Sequence, residues 1–247
     1  MTQLKSLMAL SMHKAGSSIA DNIILDFCTA KGYEIDRISK QTMGSPKPEA
    51  SIYQDYQNRM RTEGVYYGIA RGPYVENMAI IQKLKTIIQV RDPRDCITSA
   101  YFSFSKSHVP PTDPDKLRKF EETRKRIAQL SIDQYARDMA SDYRQRLQIL
   151  SDIMADHDDI LMLRYEDMVE DTQSWLGQIS DFLEQPLSDD LMAVFGHKID
   201  FTVQTEDENR HKRQVTPGDH RRKLHPETIH HLNKVLGAQM ARFGYTC

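Results

Sequence analysis

Two stretches of the chain decide how it folds: SMHKAGSS at residues 11–18 and VRDPRDCITS at residues 90–99. Each stretch follows an apolar run typical of a buried strand, and each leads into a run whose apolar residues have helical spacing. The chain is therefore expected to form strand–loop–helix twice, with cations and hydroxyls at each turn. This arrangement predicts a site for a ligand that carries two separate anionic groups.

Strands and helices are predicted to alternate along the chain. We predict strands at 4–12, 33–38, 65–70, 86–90 and 160–164, and helices at 17–30, 93–104, 116–128, 133–155, 172–184, 191–195 and 226–243. Proline and glycine mark loops at 41–50 and 108–114, and residues 198–223 are polar, basic and without clear periodicity. The pattern indicates an α/β fold of three layers, with a central parallel sheet flanked by helices, a P-loop-like strand–loop–helix and a single domain over residues 1–247.

The composition narrows the class of protein. The 247 residues include 33 basic and 35 acidic side chains, so the net charge of -2 argues against a general nucleic-acid binder. Three widely spaced cysteines favour a reducing compartment over a disulfide framework. The sequence contains no apolar run long enough to span a bilayer and no CxxC or HExxH motif. We therefore expect a cytoplasmic protein without metal, membrane or nucleic-acid partners.

The first stretch has the chemistry of an anion-binding loop. Gly16 lets the backbone approach an anion closely, Ser17 and Ser18 can donate hydroxyl hydrogen bonds, and Lys14 adds a full charge. In the nucleotide-triphosphate loop GxxxxGK[ST] the lysine follows the last glycine, whereas Lys14 precedes Gly16. This order weakens the alternative of a magnesium-dependent ATPase or kinase.

Both stretches resemble the cofactor loops of sulfotransferases, which use 3′-phosphoadenosine-5′-phosphosulfate (PAPS). The order Lys-x-Gly-Ser/Thr-Ser/Thr resembles their 5′-phosphosulfate loop. The second stretch resembles their 3′-phosphate motif, Arg-[Asp/Asn]-Pro-x-Asp-x-x-x-Ser, and it matches that motif at Arg91, Asp92, Pro93, Asp95 and Ser99. An arginine fork and a serine hydroxyl can together hold phosphate oxygens.

Two further segments extend the resemblance. LRYEDM at 163–168 resembles the family's Tyr-Glu-Asp-Met segment, in which the tyrosine packs near the adenine, so Tyr165 is a candidate. Residues 213–220 resemble the segment Arg-Lys-Gly-x-x-Gly-Asp-Trp that closes over the 3′-phosphate. They match it at Arg213, Gly218 and Asp219 and depart from it at Gln214, Val215 and His220.

The resemblance implies transfer of the sulfuryl group from PAPS to a hydroxyl or amine by in-line displacement, without a metal. Lys14 would stabilise the leaving 5′-phosphate. The implied cofactor-binding residues are Lys14, Ala15, Gly16, Ser17, Ser18, Ile19, Arg91, Ser99, Tyr165 and Arg213.

The general base is left open by the sequence. Family members that act on small molecules carry a histidine in Lys-Thr-His, but residues 69–73 read IARGP here. Glycan-modifying relatives use a carboxylate on the strand after the first helix, a region where Glu34 and Asp36 lie. His108, at the start of the loop predicted at 108–114, is a third candidate, and His13 could orient the sulfate.

Two other functions remain as alternatives to a sulfotransferase. One is a nucleotide kinase or other phosphoryl transferase, and the other is a nucleotide-binding protein that has lost the chemistry. The acceptor is open among a sugar hydroxyl, a small alcohol, a phenol and a peptide tyrosine. A homodimer is also an open alternative.

Overall fold

The structure is a computed structural model that describes residues 4–42, 45–72, 75, 76, 78–201 and 215–247. Its described residues form a sheet of five parallel strands in the order β2-β3-β1-β4-β5. The strands are β1 (Leu7–Ser11), β2 (Glu34–Ile35), β3 (Val65–Ala70), β4 (Lys85–Val90) and β5 (Ile160–Arg164). The expected α/β fold with a parallel sheet is confirmed.

Helices cover both faces of this sheet. In chain order they are α1 (Ser17–Lys31), α2 (Ile38–Thr42), α3 (Glu49–Gln57), α4 (Pro93–Phe102), α5 (Pro114–Ala128), α6 (Ile132–Ala155), α7 (Tyr165–Glu170), α8 (Thr172–Leu183), α9 (Asp189–Phe195), α10 (Asp219–Lys223) and α11 (Pro226–Ala241). Short 3₁₀ turns occupy Ala79–Lys83 and Gly196–Ile199, and a π-helical turn occupies Ser103–Ser107. Within the described ranges, no helix combines the length and apolar character that crossing a bilayer requires.

The strand order places the two loops that are predicted to bind anions side by side. β1 lies between β3 and β4, and Ser11 at its end is in register with Gln89 of β4. After β3 the chain crosses from one side of β1 to the other. Because β1 and β4 are parallel neighbours, the turns that follow them leave the sheet at the same end. Ligands of open parallel sheets bind at such a switch point.

The core consists of two apolar layers that share the sheet. Met8 and Leu10 of β1 belong to the layer beneath α4, α6 and α11, whereas Leu7 and Ala9 belong to the layer beneath α1, α8 and α9. The alternation follows from the two-residue repeat of a strand, and both sets are fully buried. The rigid sheet thus supports both loops from below.

Several boundaries differ from those expected from the sequence. The predicted strand at 33–38 is only two residues long, and the predicted loop at 41–50 includes the end of α2 and the start of α3. Pro48 caps α3 rather than interrupting it, so the prolines precede a helix here. The sequence prediction also missed α7, which begins directly at the end of β5, and α10 in the polar stretch.

Candidate active site

The loop after β1 is shaped by two residues with left-handed backbone. Lys14 has φ 71° and Gly16 has φ 72°, and Gly16 caps α1 without a side-chain hydrogen bond. A Cβ on Gly16 would lie 2.7 Å from both Met168 Cε and Tyr165 Cδ2. The first N–H groups of α1 are therefore open to an anion, in the positive end of the helix dipole.

Arg91 joins the two loops. It is buried, and its Nη1 donates to the backbone oxygen of Lys14 at 3.1 Å. Its guanidinium carbon lies 4.2 Å from the centre of the Tyr165 ring, and Nη2 lies 3.6 Å from Asp95 Oδ2. Its Nε is buried without a hydrogen-bond partner among the described residues. A buried cation with an unused donor fits an anionic ligand.

Asp95 attaches the C-terminal segment to the second loop. Its Oδ2 accepts from the Gly218 N–H at 2.7 Å, and its Oδ1 accepts from the His220 N–H at 2.9 Å and lies 2.6 Å from His220 Nδ1. Burial alone would raise the pKa of Asp95, but the contacts with His220 and Arg91 outweigh it and hold this pKa well below its ordinary value. The residues after 214 are thus docked onto the start of α4.

Four of the other cofactor candidates lie on the helices that follow the two loops and β5. Ser99 lies on α4, half-buried, and Tyr165 is buried with its hydroxyl donating to the Val215 carbonyl at 2.9 Å. Ser17 is buried and accepts from Arg71 Nε at 2.7 Å, whereas Ser18 is exposed at the helix start. Arg213 lies outside the described residues. Lys14 Nζ donates to Ser103 Oγ at 3.1 Å, in the π-helical turn after α4.

The three candidate bases, Glu34, Asp36 and His108, each have contacts of their own. Glu34 is exposed on β2 and pairs with Arg61. Asp36 follows β2, and its carboxylate accepts from Gln41 at 3.4 Å. The ring of His108 packs against Phe104 and Phe120, with ring centres 4.9 and 5.9 Å apart. None of the three lines the pocket beside the first loop.

A pocket of about 300 Å³ opens beside the first loop. Its lining includes His13, Arg37, Lys40, Glu49, Tyr53 and Arg71. Sequence reasoning missed Glu49 and Arg71. The sequence did contain a signal for each of them. An acidic residue directly after Pro48 is typical of a helix start, and Arg71 directly follows the carboxyl end of a predicted strand, where ligands bind.

A second pocket of about 280 Å³ lies between α4, α10 and the C-terminal residues. Several of its charged groups already have partners: Arg94 pairs with Asp92, His220 lies against Asp95, and the Glu166 carboxylate accepts from the Tyr245 hydroxyl at 2.7 Å. Among the described residues, no group of three or more histidine, cysteine or acidic side chains has the arrangement of a metal site.

Comparison with known proteins identifies the family. Residues 75–244 match the family model described as Sulfotransferase domain. Sulfotransferase 2A2 of Rattus norvegicus is 34% identical over 110 residues. That match covers 44% of this chain and only 34% of the rat protein, so the chain spans about a third of this relative in the match.

Solved structures share the fold at low sequence identity. A mouse sulfotransferase complexed with PAP superposes with a TM-score of 0.63 at 17% identity, covering 96% of this chain and 84% of the mouse chain. Retinol dehydratase in complex with retinol and PAP gives 0.54 at 15% identity, covering 97% and 82%. The sulfotransferase domain from the curacin biosynthetic pathway gives 0.51 at 14% identity and covers 99% of both chains.

Proposed function

Because the chain belongs to the sulfotransferase family, we propose that it transfers the sulfuryl group of PAPS to a hydroxyl of a small acceptor molecule. The observation that carries the proposal is the position of the buried Arg91. Its Nη1 donates to the backbone oxygen of Lys14 in the first loop, and its Nε has no hydrogen-bond partner among the described residues. One arginine thus links the place expected for the 5′ end of the nucleotide to the place expected for its 3′-phosphate. A ligand with two anionic ends fits this arrangement.

Some of the site residues would bind the phosphates of the nucleotide, and Lys14 would stabilise charge in the reaction. Ser17, Ser18 and the first N–H groups of α1 would hold the 5′-phosphate, and Arg91 with Ser99 would hold the 3′-phosphate. When bound, PAPS supplies an activated sulfuryl group. Lys14 would stabilise the negative charge that grows on the leaving phosphate, because its ammonium is held at the loop by Ser103.

The proposal extends to the setting of the protein. All three cysteines are free, and Cys28 and Cys96 are buried, which supports a reducing, cytoplasmic compartment. The two apolar layers share one sheet, which supports a single sulfotransferase domain over residues 1–247. An acceptor of small-molecule size agrees with the 300 Å³ pocket.

The test is calorimetric binding of the product nucleotide, 3′-phosphoadenosine-5′-phosphate (PAP), compared with ATP and magnesium. We expect PAP to bind without metal and more tightly than ATP. Arg91→Ala should weaken PAP binding by about 10- to 150-fold, because the variant loses a hydrogen bond between charged groups and such a bond contributes about that factor. Arg118→Ala, which removes an exposed cation on α5, should leave it unchanged. A preference for ATP with magnesium would support a phosphoryl transferase instead.

Lys14→Ala separates chemistry from binding. We expect it to abolish sulfate transfer from PAPS while the free energy of unfolding changes little, because the Lys14 side chain is only partly buried. Ser99→Ala is a milder test of the 3′ site and should weaken PAP binding by about 3- to 10-fold. If Lys14→Ala and Arg91→Ala both transferred sulfate at the normal rate, the assignment of the site would be wrong.

A further inference from the structure

The 300 Å³ pocket lies against the part of the first loop where the sulfuryl group would be held. His13, the neighbour of Lys14 in the chain, lines the pocket. Arg71 also lines it and at the same time donates from Nε to Ser17 Oγ at 2.7 Å. An acceptor in this pocket would therefore face the loop directly.

Glu49 places a carboxylate in the same pocket. It is the first residue of α3 and is half-buried. Among the described residues of the lining it is the only acidic one, and it has no hydrogen bond or ion pair with any other residue that the structure describes. A half-buried carboxylate without a structural partner at a pocket wall is available to accept a proton.

Neighbouring carboxylates are committed to other partners. Asp21 is fully buried, accepts from the Tyr66 hydroxyl at 2.7 Å and pairs with Arg37. Asp142 accepts from Arg146 at 2.8 Å. Of the residues in these pairs only Arg37 lines the pocket, and neither Asp21 nor Asp142 does, which leaves the proton-accepting role to Glu49 among the carboxylates.

The charges around Glu49 come from several elements. Lys116 on α5, Arg71 after β3 and Arg146 on α6 carry positive charges that act on its carboxylate. Burial raises the pKa of Glu49 above its ordinary value, and these three cations oppose the rise. The remaining titratable groups that the structure describes in the pocket wall are His13, Arg37, Lys40 and Tyr53.

His13 is poorly suited to the same role. Burial, together with the charges of Arg146 and Arg71, lowers its pKa to about 3. The imidazole is therefore neutral and weakly basic at physiological pH. It can accept or donate a hydrogen bond, but it would hold a transferred proton far less well than a carboxylate whose pKa is raised.

We propose that this pocket binds a hydroxyl acceptor of single-ring size, such as a phenol, and that Glu49 is the catalytic base that takes its proton. The inference rests on the proposed sulfotransferase function. As the acceptor oxygen forms its bond to sulfur, the hydroxyl proton passes to the Glu49 carboxylate. The bond between sulfur and the bridging oxygen of the 5′-phosphate breaks, and its electron pair leaves with PAP. The product is a sulfate monoester.

The size and walls of the pocket support a ring-shaped acceptor. Its volume lies at the lower end of small-molecule sites. Tyr53 and Ile69 supply apolar wall beside the His13 ring. These side chains can pack against the faces of a single aromatic ring.

The first test compares Glu49→Gln with wild type on two acceptors, phenol and 4-nitrophenol, with PAPS as donor. At mildly alkaline pH 4-nitrophenol is largely ionised and needs no base, whereas phenol does. We expect kcat with phenol to fall by about 100-fold or more, while 4-nitrophenol keeps most of its rate. Asp55→Asn, an exposed carboxylate on the same helix, is the matched control and should change neither rate. Equal losses on both acceptors, or no loss, would overturn the assignment.

The second test does not depend on turnover. Binding of 4-nitrophenol to the protein saturated with PAP is followed by the visible absorbance of the phenolate. In Glu49→Gln the bound dye should shift towards phenolate, because the repelling carboxylate is gone. An unchanged spectrum, or no binding of the dye to the wild-type complex, would refute the inference.

Variants of the three other candidate bases show whether one of them takes the proton instead of Glu49. If Glu34→Gln, Asp36→Asn or His108→Ala showed the loss that is selective for phenol, the base would lie there and not at Glu49. PAP calorimetry separates the two proposals. Wild type that binds PAP while failing both phenol tests disproves only this inference, whereas wild type that does not bind PAP disproves the proposed function itself.

Discussion

At the scale of single residues, Gly16 is under two separate constraints. Its φ of 72° disfavours any side chain, and a Cβ would also lie 2.7 Å from Tyr165 and Met168. Gly16→Ala should therefore lower the free energy of unfolding by about 2–5 kcal/mol, the sum of backbone strain and overpacking. Urea unfolding measures this loss.

Gly32 provides the matched control for that prediction. It ends the same helix with φ 85°, and nothing lies within 4 Å of a Cβ built there. Gly32→Ala should cost only the backbone strain, about 1–2 kcal/mol. If the two variants lost the same stability, close approach of Tyr165 to the loop would not be what constrains Gly16.

The candidate site was readable from the sequence only where its residues share a motif. Lys14, Gly16 and Ser17 lie within a few residues of each other at a strand end, as do Arg91 and Ser99 across a helix start, and local spacing is enough to suggest an anion site. Their roles stay predictions. Glu49 and His13 line the same pocket only because of how α3 packs, so no spacing in the sequence indicates that they lie in one pocket.

At the scale of elements, the contact of the 215–220 segment with α4 depends on Asp95. Asp95→Asn should destabilise the protein by about 2–4 kcal/mol at pH 7, because an amide cannot accept from both backbone N–H groups and from His220 as the carboxylate does. Asp115→Asn, an exposed carboxylate on α5, should change the free energy of unfolding very little.

The loss of stability in Asp95→Asn should depend on pH. The pKa of Asp95 is lower in the folded than in the unfolded protein, so its contribution to stability is fully present above the unfolded pKa of about 4 and is lost as the pH falls towards the folded value. Wild type and Asp95→Asn should therefore differ most at pH 6–7, and the difference should narrow below about pH 4. A difference that stayed constant across this range would contradict the role assigned to the charge.

Elements with a clear apolar pattern were predicted well, whatever their length. β3 and β5 match the expected ranges because each is an apolar run typical of a strand, and α6 differs by one residue because its long apolar periodicity is a strong signal. α3 has only nine residues, and its buried side chains Ile52, Tyr53 and Tyr56 follow a proline-rich stretch that reads as a loop. α7 begins at Tyr165, directly after β5 ends at Arg164, so no loop separates the strand from the helix.

At the scale of the whole molecule, the parallel sheet converts two distant stretches into one site. The first loop follows β1 and the second follows β4, and Arg91 spans the join by bonding the Lys14 carbonyl. The only covalent connection between the loops is the long segment that includes α1 and β3. A ligand held by both loops would therefore stabilise the sheet at the edge where its two halves meet.

Saturation with PAP should accordingly raise the thermal stability of the whole chain. A ligand at 100 times its dissociation constant adds about 2.7 kcal/mol, which for a domain of this size corresponds to a Tm increase of about 5–10 °C. Differential scanning calorimetry with PAP, with ATP and magnesium, and with no ligand measures the effect. Arg91→Ala should lose most of the PAP shift and Arg118→Ala should keep it, because only Arg91 lies at the join between the loops. An equal shift with ATP and magnesium would indicate that the loops recognise phosphate in general rather than a nucleotide with separate 3′ and 5′ anions.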